Sequence, residues 1–247
     1  QGTDGRIIFA IPYETDFTLI GTTDAEHHDV SEQPRCTDNE RDYLIRFANS
    51  YFKRQLSADD VVWTYSGVRP LYDDGSSSAT AATRDYTLKV DDTGGAPILN
   101  IFGGKITTYR RLAEAAMAKV KGYIPDLQPD WTAGVPLPGG DFPVDGVDHL
   151  IVEAKIQFPF LDDRLIRRLV RGYGTDLWAI LGQARSIEEL GQHFGATLYE
   201  AEVNWLMEHE FAREAEDILW RRTKLGLRFE DTKVEALDAW MRDKRRC

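Results

Sequence analysis

Cysteine is nearly missing from this sequence. Two residues, Cys36 and Cys247, stand among 247, which rules out a disulfide framework and leaves no cysteine pair at metal-ligand spacing. That usage fits a reducing compartment. Long apolar runs are missing too: no stretch of about eighteen apolar residues is present to cross a bilayer as a helix, while attachment to a membrane surface stays open. Positive charge is in deficit, with 30 Lys and Arg against 41 Asp and Glu and a net charge of -11. That balance argues against a general nucleic-acid binder, which would carry a basic surface. No Ser-His-Asp or Cys-His arrangement stands out. Glu200, Glu202, Glu208 and His209 lack the Glu-x-x-His spacing of a helical metal site, so they read as a solvated helix face. His27 and His28 have no third ligand nearby and read as loop residues. Gly172-Tyr173-Gly174 follows a helix and lacks the last glycine of a dinucleotide fingerprint, so it reads as a helix C-cap.

What is present is enough apolar material for a large core: 42% hydrophobic residues and six Trp, suited to one large domain or two smaller ones. Arg6–Tyr13 and Asp16–Thr23 are β-rich and separated by Glu14-Thr15, which reads as a hairpin closed by Gly21-Thr22-Thr23-Asp24. Thr37-Asp38-Asn39-Glu40 is a capping box opening a helix with Leu44, Phe47, Ala48, Tyr51 and Phe52 on its apolar face. Val61–Tyr72 reads as a strand ending at Gly67 and Pro70. Asp73–Ser78 reads as a polar loop, and Thr83–Val90 alternates as a half-buried strand. Tyr123–Val147 is rich in Pro and Gly and marks a linker or crossing loop. The expected division is an α+β domain over 1–124, a linker over 125–147 and a helical domain over 148–247. In the last, helices are expected at Asp148–Phe158, at Asp162–Arg171 stopped by Gly172, and at Asp176–Leu181 stopped by Gly182. Further helices are expected at Thr197–Glu210, Ala212–Thr223 and Asp231–Arg242, with a Ser-capped turn at Ser186–Leu190 and no convincing strand.

The chain is organised around Ile98–Arg111. A short apolar run leads to Gly103 and Gly104, then Lys105, Ile106, Thr107 and Thr108, and then a helical pattern. Two glycines let backbone come close to a ligand because no Cβ intervenes. A threonine is a good N-cap, and the first helical N–H groups favour an anion or an electron-rich oxygen. It is not a Walker loop: Leu99 stands where that motif needs a glycine, and Ile106 where it needs Ser or Thr. Arg69, Arg84 and Lys105 all fall at strand ends. Converged, they would match a phosphate or carboxylate; the sequence does not show that they converge, and three ordinary surface cations is the plainer reading.

The motifs FGGKITTYR, WTYSGVRPL and ATRDYTL, taken with FAIPYETDFTLIGTTD and LYEAEVNWLMEHEFAREAEDILWRRTKLGL, resemble those of the flavin-dependent respiratory glycerol-3-phosphate dehydrogenases, in the right order and over nearly the whole chain. The resemblance implies an α+β fold with a mixed, largely antiparallel sheet and flanking helices, as in amino-acid oxidases, followed by a small all-α C-terminal domain. It implies FAD, oxidation of sn-glycerol 3-phosphate to dihydroxyacetone phosphate, and electron transfer to a quinone. It also implies a homodimer bound peripherally at the cytoplasmic face of the inner membrane. By motif position, Arg69 matches the catalytic arginine near the reacting hydroxyl. Arg84 and Lys105 match cations that bind substrate, and Gly103, Gly104, Lys105, Ile106 and Thr107 match the turn that meets the flavin. The family's amino-terminal Gly-x-Gly-x-x-Gly unit, which holds the FAD pyrophosphate, has no counterpart in these residues. The expectation is therefore a carboxy-terminal portion, inactive alone; the alternative is a non-catalytic anion-binding or interaction module.

Overall fold

The computed structural model describes residues 5–25, 27, 29, 31–72, 84–124 and 126–246. His28, the loop 73–78, Thr83, Pro125 and Cys247 lie outside the described residues. The chain divides into two units between Val135 and Pro136, inside the Pro/Gly-rich stretch.

The first unit is α+β. Strands β1 (Phe9–Tyr13) and β2 (Phe17–Gly21) pair antiparallel, with Tyr13 opposite Phe17. The turn between them holds Glu14 and Thr15 in left-handed backbone, φ 45° and 71°. Helix α1 (Asp38–Asn49) begins at a complete capping box: the Glu40 amide donates to the Thr37 hydroxyl, and the Glu40 carboxylate accepts from the Thr37 amide. Strands β3 (Thr87–Asp91) and β4 (Ile98–Phe102) form a second antiparallel pair. A 3₁₀ turn at Ile106–Thr108 leads into α2 (Tyr109–Val120). Among the described residues the ladders are two-stranded and separate. Val61–Tyr72 is a correction: it is extended but joins no ladder. Pro70 has no N–H to offer, and the Leu71 amide folds back onto the Arg69 carbonyl at 2.9 Å.

Burial in this unit is slight. Ala48 alone among its described residues is buried. Phe9 and Ile11 on β1, Val62 and Val68 on the extended segment, and Ile98 and Ile101 on β4 stay exposed.

The second unit has two apolar clusters of its own. One joins Leu150, Ala154 and Phe158 to Leu165, Leu169 and Leu177. The other joins Leu198, Val203 and Leu206 to Ile218, Leu219, Leu237 and Met241. Its helices are α3 (Val147–Gln157), α4 (Asp163–Tyr173), α5 (Leu177–Leu181), α6 (Glu200–His209) and α7 (Asp231–Lys244). A π-helical segment spans Asp217–Arg222. Three expectations are corrected. Helix α4 runs through Gly172 and stops at Gly174, which takes φ 55°, the conformation that ends helices at glycine. A short antiparallel pair, β5 (His193–Gly195) with β6 (Leu198–Tyr199), precedes α6, where a helix from Thr197 was expected. Ser186 makes no side-chain cap on its 3₁₀ turn.

The largest correction is Glu202. It is 3% exposed rather than solvated. Arg168 donates to both of its carboxylate oxygens at 2.6 Å, and the Tyr173 hydroxyl donates to one at 2.7 Å. Arg168 is fixed in turn by the Thr197 hydroxyl at 2.8 Å and the Thr197 carbonyl at 2.7 Å. Burial first, then the facing Glu202 carboxylate, push the Tyr173 phenol far above its ordinary pKa, so it serves as a donor. Removing one partner strands a buried charge. Glu202→Ala is expected to cost about 3–5 kcal/mol in stability, read by urea unfolding with Trp fluorescence, while the exposed Glu208→Ala stays near wild type.

Candidate functional site

The second hairpin and the extended segment before it make the site. Pairing of Thr87 with Phe102 at the open end of β3–β4 sets Arg84–Tyr86 alongside Gly103–Lys105. The extended Val68–Leu71 closes the third side. The three strands of backbone meet at Gly103. A Cβ there would lie 3.3 Å from the Asp85 carbonyl oxygen and 3.5 Å from that of Pro70. At Gly104 it would lie 3.4 Å from Tyr86 Cβ. Both glycines also take positive φ, 68° and 99°. The turn's positive φ is therefore what calls for glycine at both positions, with the Asp85 carbonyl adding a tight approach at Gly103, whereas close approach of a ligand was the sequence-based reason.

Between the segments lies a cleft of about 320 Å³, lined by Val68, Arg69, Pro70 and Leu71 on one side and Arg84, Gly103, Gly104 and Lys105 on the other. The structure thus brings Arg69, Arg84 and Lys105 to one cavity, together with the two glycines. It does not bring Ile106 or Thr107: Ile106 is 86% exposed and neither lines the cleft. The threonine N-cap is also corrected. The Thr108 hydroxyl donates back to the Lys105 carbonyl at 2.9 Å, and no side chain caps the turn or α2. The first amides of the turn point away from intrahelical acceptors, as at any helix start.

Two carboxylates that the sequence reading passed over balance the cations. Arg69 Nη1 donates to Asp24 Oδ1 at 2.9 Å, and Lys105 Nζ to Asp85 Oδ1 at 3.2 Å. Their signal was present as Asp24 in GTTD and Asp85 in TRDY, yet ordinary acidic residues beside polar ones carry no periodicity to expose them. Arg84 makes no ion pair among the described residues, in which no group of three His, Cys, Asp or Glu could hold a metal ion. Lys89 donates to the Tyr72 hydroxyl and sits 4.7 Å from the centre of that ring. Away from the cleft, Glu40 joins α1 to the exit of β2, since Thr23 Oγ1 donates to Glu40 Oε1 at 2.7 Å. The Thr37 amide, then the Thr23 and Thr37 hydroxyls, hold the Glu40 carboxyl below its ordinary pKa. Three cations against two exposed carboxylates leave a surplus of positive charge. Arginine forks and an ammonium of this kind hold phosphate or carboxylate oxygens.

Comparison with known proteins gives a consistent picture. Residues 131–242 match the family model described as the C-terminal domain of alpha-glycerophosphate oxidase, and residues 1–110 match the model described as FAD dependent oxidoreductase. The aerobic glycerol-3-phosphate dehydrogenase of Escherichia coli is 44% identical over 98% of this chain and 48% of its own length. The glycerol-3-phosphate dehydrogenase of Pseudomonas aeruginosa is 45% identical over 92% of this chain and 44% of its own. The D-erythritol 1-phosphate dehydrogenase of Brucella abortus is 43% identical over 97% and 48%. The chain spans about half the length of the curated relatives it matches.

The geometry at the diglycine makes a direct prediction. Gly103→Ala must enter left-handed backbone and crowd the Asp85 and Pro70 carbonyls, so a loss of about 1–2 kcal/mol is expected from the backbone alone. Amide hydrogen exchange across β3 and β4 should quicken in the variant and stay unchanged in α3 to α7.

Proposed function

Because the chain belongs to the FAD-dependent oxidoreductase family, we propose that its cleft is the substrate-facing part of a site that oxidises sn-glycerol 3-phosphate to dihydroxyacetone phosphate. The observation that carries this reading is the convergence of Arg69, Arg84 and Lys105 on the cavity beside the diglycine turn. Arg84 and Lys105 take the phosphate, through charge-assisted hydrogen bonds shorter and stronger than neutral ones. Arg69 faces the hydroxyl carbon. As the hydroxyl loses its proton and the carbon its hydride, oxyanion character grows on that oxygen, and a fixed guanidinium stabilises it more than it stabilises the ground state. Val68 and Leu71 supply the apolar side of the cleft.

FAD fits here in a limited sense. When bound, it accepts the hydride. Gly103, Gly104 and Lys105 would meet its edge, and the uncapped amides that begin the Ile106–Thr108 turn would favour negative charge there. These 247 residues hold no Gly-x-Gly-x-x-Gly after a strand, so nothing in them grips a pyrophosphate in the usual way. We propose that the chain by itself therefore binds FAD poorly and does not turn over. We also propose electron delivery to a quinone and a homodimer attached peripherally at the cytoplasmic face of the inner membrane, on the strength of the family resemblance. No helix among the described residues is long and apolar enough to cross a membrane.

One observation favours a second reading: the D-erythritol 1-phosphate dehydrogenase is as similar to this chain as the glycerol phosphate enzymes are. Both substrates are phosphorylated polyols, and a three-cation cleft serves either. A substrate panel decides between them, with higher kcat/KM expected for glycerol 3-phosphate.

Two outcomes are expected. The chain mixed with FAD, glycerol 3-phosphate and a dye acceptor should give no dye reduction; steady reduction would overturn the requirement for a separate pyrophosphate-binding unit. In flavin-loaded enzyme carrying this sequence, Arg69→Ala should lower the oxidation rate about ten- to a hundred-fold, as for loss of one charge-assisted contact of roughly 1.5–3 kcal/mol. Unaltered kinetics would remove Arg69 from the site.

A further inference from the structure

We propose that Asp24 is a positioning residue that aims the Arg69 guanidinium, and that the Thr23–Glu40 hydrogen bond at the capped start of α1 holds Asp24 in place. The inference rests on the reading of Arg69 as the group facing the reacting hydroxyl.

Arg69 has little else to orient it. It lies on an extended segment that joins no ladder, and Pro70 after it restricts only the backbone. A free arginine side chain carries about 2 kcal/mol of rotamer entropy. The contact that spends this freedom is the 2.9 Å bond from Nη1 to Asp24 Oδ1, made across 45 residues of sequence. It engages one of five guanidinium donors, and the same side chain lines the cleft.

Asp24 is itself placed. The β1–β2 ladder ends at Gly21, so the exit of β2 needs another restraint. Thr23, one residue before Asp24, donates its hydroxyl to Glu40 Oε1 at 2.7 Å. The other carboxylate oxygen of Glu40 accepts the Thr37 amide at 2.9 Å and the Thr37 hydroxyl at 2.8 Å. Glu40 thus closes the cap of α1 with one oxygen and ties down the strand exit with the other. The line runs from the helix cap through Thr23 and Asp24 to Arg69 and the cleft.

The pair contributes little to stability, because both side chains are largely open to solvent, 54% for Arg69 and 72% for Asp24. Its effect is geometric: a charge aimed at a developing oxyanion is worth much more in place than adrift. A positioning role and a simple counter-ion role predict opposite results. A counter-ion that merely competes with the substrate anion would, when neutralised, lower KM and leave kcat alone.

The test compares Asp24→Asn, Arg69→Ala and the double variant in flavin-loaded enzyme carrying this sequence, with glycerol 3-phosphate and a dye acceptor. Asp24→Asn should lower kcat about two- to five-fold, the rate equivalent of an exposed ion pair, with KM and the thermal midpoint close to wild type. The double variant should be no slower than Arg69→Ala alone. Thr23→Val, which keeps both charges and removes the tether, should lower kcat in the same direction; it also serves if Asp24→Asn folds poorly. A lowered KM with unchanged kcat, unchanged kinetics in both Asp24→Asn and Thr23→Val, or additive losses in the double variant would overturn the proposal. If Arg69→Ala itself is silent, the reading of the site falls with it; if Arg69→Ala is slow and Asp24→Asn is not, this inference alone falls.

Discussion

The steric crowding at Gly103 is the constraint on which the site depends. Two backbone segments close on the glycine's own: the Asp85 carbonyl from one, and the Pro70 carbonyl and Tyr72 amide from the other, would lie inside 4 Å of an added Cβ. The φ of 68° favours glycine there, and the 3.3 Å approach of the Asp85 carbonyl leaves a side chain little room. Arg69, Arg84 and Lys105 ride on those same three segments. The meeting of the cations is therefore a consequence of backbone packing rather than of attraction among the charges, which repel. Asp24 and Asp85 offset that repulsion from outside the ladder.

The two units achieve order by different means. The second is built on apolar clusters with a fully satisfied buried ion pair, Arg168 with Glu202, whose remaining capacity is taken up by Tyr173 and Thr197. Such a pair gains its place by leaving no buried donor or acceptor unmet. Among its described residues the first unit buries only Ala48 and leaves many apolar side chains exposed, and two-stranded ladders of this size are marginal by themselves. Its local order comes instead from short-range devices: the capping box at Thr37, the diglycine turn and the ion pairs around the cleft. Exposed Phe9, Ile11, Ile98 and Ile101 on its strands are surface of the kind that a further protein layer covers.

Features carried by neighbours in sequence were legible in it. The first hairpin shows as two β-rich runs about Glu14-Thr15, a strand over Thr83–Val90 shows as alternation, and the α1 capping box shows as Thr-x-x-Glu before an apolar face. What escaped depended on distant partners. Val61–Tyr72 has strand composition, yet a strand is defined by a hydrogen-bonded neighbour, and none pairs with it among the described residues. Gly172 looks like a helix stop, but the left-handed conformation that ends a helix falls at Gly174, two residues later. Glu202 sits in an acidic run that reads as solvated; its burial follows from Arg168, 34 residues earlier. Asp24 escaped for the same reason, since its partner lies 45 residues on. The convergence of Arg69, Arg84 and Lys105 was one of two open readings. Their meeting required the fold, because charge alone does not bring residues together.

The cleft constrains the ligand more tightly at one end than at the other. Three cations with two exposed carboxylates suit a dianion such as a phosphate monoester, which can draw Lys105 from Asp85 because an exposed pair of that kind holds by only about 1 kcal/mol or less. The polyol end meets a different surface, Val68 and Leu71 with Arg69 between them in the chain. Among the described residues, that surface carries one strong donor group, the Arg69 guanidinium. On the proposed reading it would hold the hydroxyl on the carbon being oxidised but offer little to count the hydroxyls beyond it. An apolar wall that adds or loses one carbon unit discriminates by roughly 1–3 kcal/mol, whereas an unmet polar partner discriminates far more. If the cleft binds as proposed, choice between a three-carbon and a four-carbon polyol phosphate would turn on which polar group meets the far hydroxyls, while the phosphate grip would be common to both.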